Sequence, residues 1–490
     1  MRRFLKGLLA LAALLIAAAL ALAANAWRQS PKQVDVPARA GVAVDAQAAA
    51  SRLAQAVRLR TISTLDDTHG AEFDALHRLM ETSFPTLHAR LQRERFGRHA
   101  LLYTWPGTDP KAQPIVLMAH QDVVPVAPGT ESRWTVPPFA GELREGYVWG
   151  RGAWDDKGNL MAMLEAVEML ARAGFQPRQT VLLAFGADEE LGGDDGAKLI
   201  AQALKQRGVR PAFVLDEGLL ITHGIVPGVQ APVALIGVAE KGFLTVRLSA
   251  KAEAGHSSMP PPRSAIGHLS EAVTRVEQHQ MPGLLRGVSR ELFETVAPHM
   301  SGLNRVLLSN LWLTAPLVAA QLEKAPSTNA VLRTTAVATV FNAGDRDNLL
   351  PAAATASINF RLLPGDSTEE VLAHVRRVVD DPGITIERAP YGAEPSPVSG
   401  SDTAGYRLIA RSLRELQPQV VVAPGLLMGG SDSRHFIGVA DSIYRFSPVH
   451  AAAADLPRFH GTDERISIAN YGEAIQFYER LLRNAAEASR

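Results

Sequence analysis

Three apolar runs of strand length constrain this chain most: Ile115-Val116-Leu117-Met118-Ala119, Val181-Leu182-Leu183-Ala184-Phe185 and Phe213-Val214-Leu215. None alternates with polar residues, as expected of a strand covered on both faces. Between them, residues 161–170 repeat apolar side chains at helical spacing and stop at Gly174, and residues 46–57 and 73–84 also read as helices. Short buried strands separated by amphipathic helices predict an α/β fold with a mostly parallel central sheet. In such sheets ligands gather beyond the carboxyl ends of the strands. His120 follows the first run, Glu189 and Glu190 the second, and Asp216 the third.

A second constraint lies in Gly150-Arg151-Gly152-Ala153-Trp154-Asp155-Asp156-Lys157-Gly158, between a short strand (147–149) and a helix beginning near Asn159. Its glycines permit a tight turn, and Asp155 or Asp156 stands where the helix starts. A carboxylate there serves either as a helix cap or as a ligand. The company of His120, Asp122, Asp188, Glu189, Glu190, Asp216, Glu217 and His460 favours the ligand. The chain has no cysteine, so a metal here must be held by His, Asp and Glu. Two divalent cations would require a carboxylate able to bridge them, a role Asp155 fits. They would also need a second carboxylate left free as a base, which Glu189 beside Glu190 supplies.

Fifty basic residues balance fifty acidic ones, so no overall field argues for nucleic acid. At the N-terminus, Arg2, Arg3 and Lys6 precede an apolar run from residue 7 to 24, followed by Ala24-Asn25-Ala26. Residues 1–26 therefore read as an export signal or a membrane anchor, with the body outside the inner membrane. Residues 27–43 read as a linker and 44–237 as the first part of a catalytic domain. Residues 238–362 read as an inserted α+β lid and dimerisation domain with a helical insert at 281–322, and 363–490 as the rest of the catalytic domain. Leu307-Leu308 and Leu311-Trp312-Leu313 offer a membrane contact without a basic face.

The runs His120-Gln121-Asp122-Val123-Val124-Pro125, 150–158, Asp188-Glu189-Glu190, Gly255-His256-Ser257-Ser258, Asn348-Leu349-Leu350-Pro351, Gly429-Gly430-Ser431-Asp432 and His460-Gly461-Thr462-Asp463-Glu464 together resemble a known family. It is the dinuclear zinc hydrolases of the aminoacylase, acetylornithine deacetylase and carboxypeptidase S group. Arg434-His435-Phe436 and 444–448 look most like the carboxypeptidase S and N-acyl-amino-acid hydrolase branch. The resemblance implies that His120, Asp155 and Asp216 hold one zinc and that Asp155, Glu190 and His460 hold the other, with Co²⁺ or Mn²⁺ able to use the same ligands. It implies Glu189 as general base, Asp122 behind His120, and a cis peptide between Asp155 and Asp156. It further implies that His256 of the lid stabilises the oxyanion, in a dimer if it is lent to a partner, and that Asn348, Arg361, Gly430 and Ser431 meet the substrate. Glu217 is left as structural, and Arg151 and Lys157 as ion-pairing braces of the turn. His268, His279, His299, His435 and His450 read as surface or structural.

The expected activity is hydrolysis of the amide bond to a C-terminal or N-acylated amino acid through a metal-bridging hydroxide. The alternatives are a deacylase of small acyl groups and a metal-binding protein without activity. The apolar insert tilts the expectation toward bulky or fatty acyl groups.

Overall fold

The computed structural model describes residues 1–487. Eight strands form the main sheet in the order Gln92–Phe96, Ala100–Trp105, Val181–Gly186, Ile115–His120, Phe213–His223, Ile443–Ala452, Val233–Glu240, Val421–Leu427. The Ile115–His120 strand runs parallel to both its neighbours, and Ile443–Ala452 is parallel to Phe213–His223. The first two strands are antiparallel and close one edge. The unbroken apolar runs have the cause expected of them. Ile115, Leu117 and Ala119 face one core, with the Ala46–Arg58, Lys157–Arg172 and Ile468–Glu487 helices. Val116 and Met118 face another, with Ile200 and Leu204 of the Ala197–Gln206 helix. Each such buried side chain contributes roughly 1.5–3 kcal/mol.

A second, fully antiparallel sheet has the order Thr335–Ala343, Ala353–Leu362, Gly242–Lys251, Ile384–Ala393. The Ala265–Gln278 and Thr368–Val379 helices cover one face through Leu244, Val246, Leu248, Ile358, Phe360, Val371 and Val375. The Thr368–Val379 helix starts at Ser367, whose hydroxyl accepts from the Glu370 N–H while the Glu370 carboxylate accepts in return, a reciprocal cap. This layer therefore continues past residue 362. Both the helix and the last strand were expected in the catalytic part, because neither carries a signal of which sheet it joins.

The insert forms helices Gly287–Val296, Gly302–Leu308 and Leu311–Leu322. They pack on the Val421–Leu427 edge of the main sheet through Leu285, Phe293, Val296, Leu308, Leu311 and Val318, against Val233, Val421 and Ala423. The insert thus lies along a sheet edge, and among the described residues none of it lines the cleft that holds Asp155, Glu190 and His460. The linker is also docked: the Gln33 amide donates to the Val422 carbonyl and accepts from the Val422 N–H, at 3.0 and 2.8 Å. Helix Arg2–Arg28 is long and apolar enough to cross a membrane, and only Ala26 in it is buried.

Candidate active site and metal centre

The 150–158 turn is built as its glycines require. Gly150 and Gly152 hold φ of 143° and 87°, and a Cβ on Gly150 would meet Val57 Cγ1 at 2.4 Å. The peptide between Asp155 and Asp156 is cis. The helix begins at Lys157, and Asp156 makes no side-chain cap; its carboxylate instead accepts from the His120 N–H at 3.2 Å. This excludes the capping role for either aspartate.

Asp155 is aimed into the site and lies between two imidazoles. His120 Nε2 is 3.0 Å from Oδ1 and His460 Nε2 is 2.7 Å from Oδ2. His460 Nε2 also lies 3.4 Å from Glu190 Oε1. Ligand atoms of His120, Asp155 and Glu190 all fall within 4.8 Å of one another. His460 is set at a left-handed φ of 56° and stacks on Phe459, centroids 4.7 Å apart. His120 Nδ1 faces the Asp122 carbonyl at 3.0 Å and carboxylate at 3.3 Å, an arrangement that fixes its tautomer and leaves Nε2 free to coordinate. Asp122 is held in turn by the Ser63 hydroxyl and by the N–H groups of Glu189 and Glu190.

Asp216 is buried, accepting from the Glu217 N–H at 2.9 Å and the Ser433 N–H at 2.8 Å. Its strand continues to His223, so Asp216 sits where pairing with the Ile115–His120 strand stops, within the strand and not at its end.

The electrostatics follow from burying this many charges together. Burial pushes the Glu189 carboxyl up to about 8, with Glu190 and Asp122 adding to the rise. Burial likewise raises Asp216, Glu217, Asp156 and Asp432. Asp155 is lowered, its burial outweighed by hydrogen bonds from His120 and His460. His460 is raised to about 10 by hydrogen bonds to Asp155 and Glu190. Both Asp432 oxygens are buried with no hydrogen-bond partner among the described residues, and Glu190 Oε1 faces only His460 Nε2, at 3.4 Å. Carboxylates this crowded, with two imidazole nitrogens turned toward them, make a donor set that suits divalent cations.

An open cleft of about 1030 Å³ runs from this cluster to the second sheet. Asp155, Glu189, Glu190, His460, Arg361 and Gly430 line it, with apolar walls from Leu191, Phe243, Tyr391, Leu427 and Phe459. Ser431 does not line it. That side chain is buried, 2.7 Å from the Ser433 hydroxyl, and bonded to Asp216. His256 and Asn348 are also off the cleft. His256 lies in a separate two-residue ladder, Gly255–His256 with Leu349–Leu350, beyond the far end of the second sheet, and Asn348 flanks it, its carbonyl accepting from the Ser257 N–H. Eight residues of strand separate Phe243 from Lys251, roughly 26 Å.

Several residues take places other than those the sequence suggested for them. His435 lines the cleft and faces the Gly192 carbonyl at 2.9 Å, and Arg434 lines it too. Lys157, expected to brace the turn through an ion pair, makes none among the described residues; its Nζ donates to the Ala56 and Leu59 carbonyls. Glu464 is the hub of the turn, accepting from the Gly152, Trp154 and Asp155 N–H groups and pairing with Arg151. Its place in the His460–Glu464 run was the only signal for it.

The family model for peptidase family M20/M25/M40 matches residues 116–484. "Probable carboxypeptidase S-like 2" of Dictyostelium discoideum is 40% identical over 441 residues, 89% of this chain and 84% of the relative. The "N-fatty-acyl-amino acid synthase/hydrolase PM20D1.1" of Danio rerio is 40% identical over 439 residues, 88% and 84% of the two chains. Among solved structures, the M20 family metallo-carboxypeptidase Sso-CP2 of Sulfolobus solfataricus has a similar fold, with a TM-score of 0.64 at 18% identity, covering 91% of this chain and all of that one. The extent of these matches makes the chain a hydrolase that belongs to peptidase family M20/M25/M40.

Proposed function

We propose that this protein hydrolyses the amide bond of N-acyl amino acids or of peptide C-termini, releasing an amino acid with a free carboxylate. The observation that carries the reading is Asp155 held between His120 and His460, with the half-buried Glu189 carboxyl lining the same cleft. In this reading His120, Asp155 and Asp216 hold one divalent cation and Asp155, Glu190 and His460 the other, zinc foremost. When bound, the pair supplies Lewis-acid polarisation of the scissile carbonyl and an acidified water. Glu189 would take a proton from the attacking water and deliver it to the leaving amine as general base and acid. Arg361 receives the substrate carboxylate in two-pronged geometry. The apolar walls of the cleft take the acyl chain, a reading that the names of the relatives also favour.

His256 and Asn348 fit this chemistry as residues lent by a second copy. The Thr335–Ala343 strand supports that dimer: it closes one edge of its sheet and exposes Val337, Val340 and Phe341. Helix Arg2–Arg28 is read as the export and membrane-attachment segment, with the body outside the inner membrane.

The test is a panel of N-acetyl, long-chain N-acyl and dipeptide substrates, each with free or amidated carboxylate, given to metal-loaded protein. The expected result is metal-dependent release of amino acid from the free carboxylates alone. Metal-loaded protein that turns over none of them refutes the reading.

A further inference from the structure

The Leu311–Leu322 helix is apolar on both its packed and its open face. Thr314 points inward, its hydroxyl donating to the Leu307 and Asn310 carbonyls. The outward face carries Trp312, Leu313, Pro316, Leu317 and Ala320, with no charge before Glu323. Trp312, Leu313 and Leu317 are 70%, 54% and 62% exposed, and Leu303 of the preceding helix is 69% exposed. Single exposed leucines need no explanation, but a contiguous helix face of them does.

What this face meets is indicated by its neighbour. Asn310 is fully buried; its amide donates to the Leu22 carbonyl and its oxygen accepts from Asn25. Gln29 reaches the Ser309 carbonyl at 2.8 Å, and Arg305 donates to the Ala26 and Gln29 carbonyls while lying 4.5 Å over the Trp27 ring. The hairpin is thereby fixed to the last turns of helix Arg2–Arg28. Leu22 lies six residues before Arg28, roughly 9 Å back along the helix axis. The first turn of the Leu311–Leu322 helix therefore stands abreast of the apolar part of the N-terminal helix.

We propose that the Gly302–Leu308 and Leu311–Leu322 helices dock on the surface of a lipid bilayer, with Trp312, Leu313 and Leu317 entering the interfacial zone beside the N-terminal helix. This inference rests on the reading of that helix as a bilayer segment. Trp27 and Trp312, both exposed, occupy the depth where indole rings favour the interface. The docking holds the body against the membrane and fixes its orientation there, which a single tether does not.

The chain has no cysteine, so W312C, L317C, L15C and L65C each carry one thiol for an environment-sensitive fluorophore. The full chain is reconstituted in vesicles containing lipids with a quencher near the headgroup or along the acyl chain. The expected result is blue-shifted emission at positions 312 and 317, quenched from the headgroup zone, with no change at Leu65, which is exposed on the body. Quenching at position 15 but not at 312 or 317 overturns the docking and leaves the spanning helix intact. Quenching at 312 and 317 but not at 15 upholds the docking and removes the span. An L317C disulfide dimer without lipid quenching puts a second copy in place of the bilayer and overturns the proposal.

Discussion

Replacing Glu464 with glutamine changes one atom and removes the charge on which two walls of the metal centre are hung. The native carboxylate is fully buried and divides its work between its oxygens. Oε1 accepts from the Gly152, Trp154 and Asp155 N–H groups at 2.9, 2.9 and 3.0 Å, and Oε2 pairs with the buried Arg151. Arg151 Nη2 in turn donates to the His460 and Gly461 carbonyls at 3.0 and 3.1 Å. One acid thus ties the turn that aims Asp155 to the loop that carries His460. In Glu464→Gln the amide oxygen still meets the three N–H groups, but an N–H₂ now faces the guanidinium.

Breaking a buried pair in this way costs about 3–5 kcal/mol, because a charge is left uncompensated. Removing both charges in R151M/E464Q is then expected to cost less than the two single changes summed, by a coupling of about 0.5–3 kcal/mol. Urea denaturation of metal-free protein measures the stability term without contribution from the cations. Metal titration measures the positional term, where a supporting shell of this kind is worth roughly 10–100-fold in affinity. An E464Q protein within about 0.5 kcal/mol of the native one, a difference typical of neutral surface changes, and with native metal affinity, would refute the hub.

Chelating the metals is expected to lower the melting temperature, because saturating each site at a hundredfold excess over its dissociation constant is worth about 2.7 kcal/mol; calorimetry with and without zinc reads this. Glu189→Gln should keep metal binding yet lose roughly 10²–10⁴-fold in kcat, the range for a general base. A variant with full turnover removes Glu189 from the chemistry. H256A and E189Q proteins, each inactive, should recover part of the activity when their subunits are exchanged, since one site then has both residues; no recovery argues against a lent histidine. Burial lowers Lys241 to about 8 from 10.5. Between those values the unfolded chain holds a proton that the folded one has released, so stability should rise with pH across that window. The rise should vanish in Lys241→Met, by denaturation at several pH values.

The main sheet was legible because both faces of Ile115–His120 and Val181–Gly186 are covered, and double coverage writes itself as unbroken apolar runs. The clustering of His120, Glu189, Glu190 and Asp216 was legible for a related reason: charged residues directly after such runs have few other places to be. Reach was not legible. Arg361 pairs with Phe243 at one end of the Gly242–Lys251 strand, whereas His256 lies beyond the other end in a separate two-residue ladder, and nothing local to Gly255-His256-Ser257 encodes which site the imidazole serves. Ser431 and Glu464 fail in the same manner, since a polar residue beside a site reads alike whether it faces substrate or props a ligand from behind.

The inserted helices show the limit of composition most sharply. Their apolar content was read as cover for an acyl pocket, yet one face packs on the Val421–Leu427 edge and the opposite face stays open beside the N-terminal helix. Two unlike apolar demands on one short helix cancel its amphipathic pattern, so the sequence shows hydrophobicity without direction. A helix apolar all round is expected in a core or against lipid. Its half-burial here, together with the inward Thr314, gives it one protein-facing side and one open apolar side, and it is the open side that the proposed bilayer docking would cover.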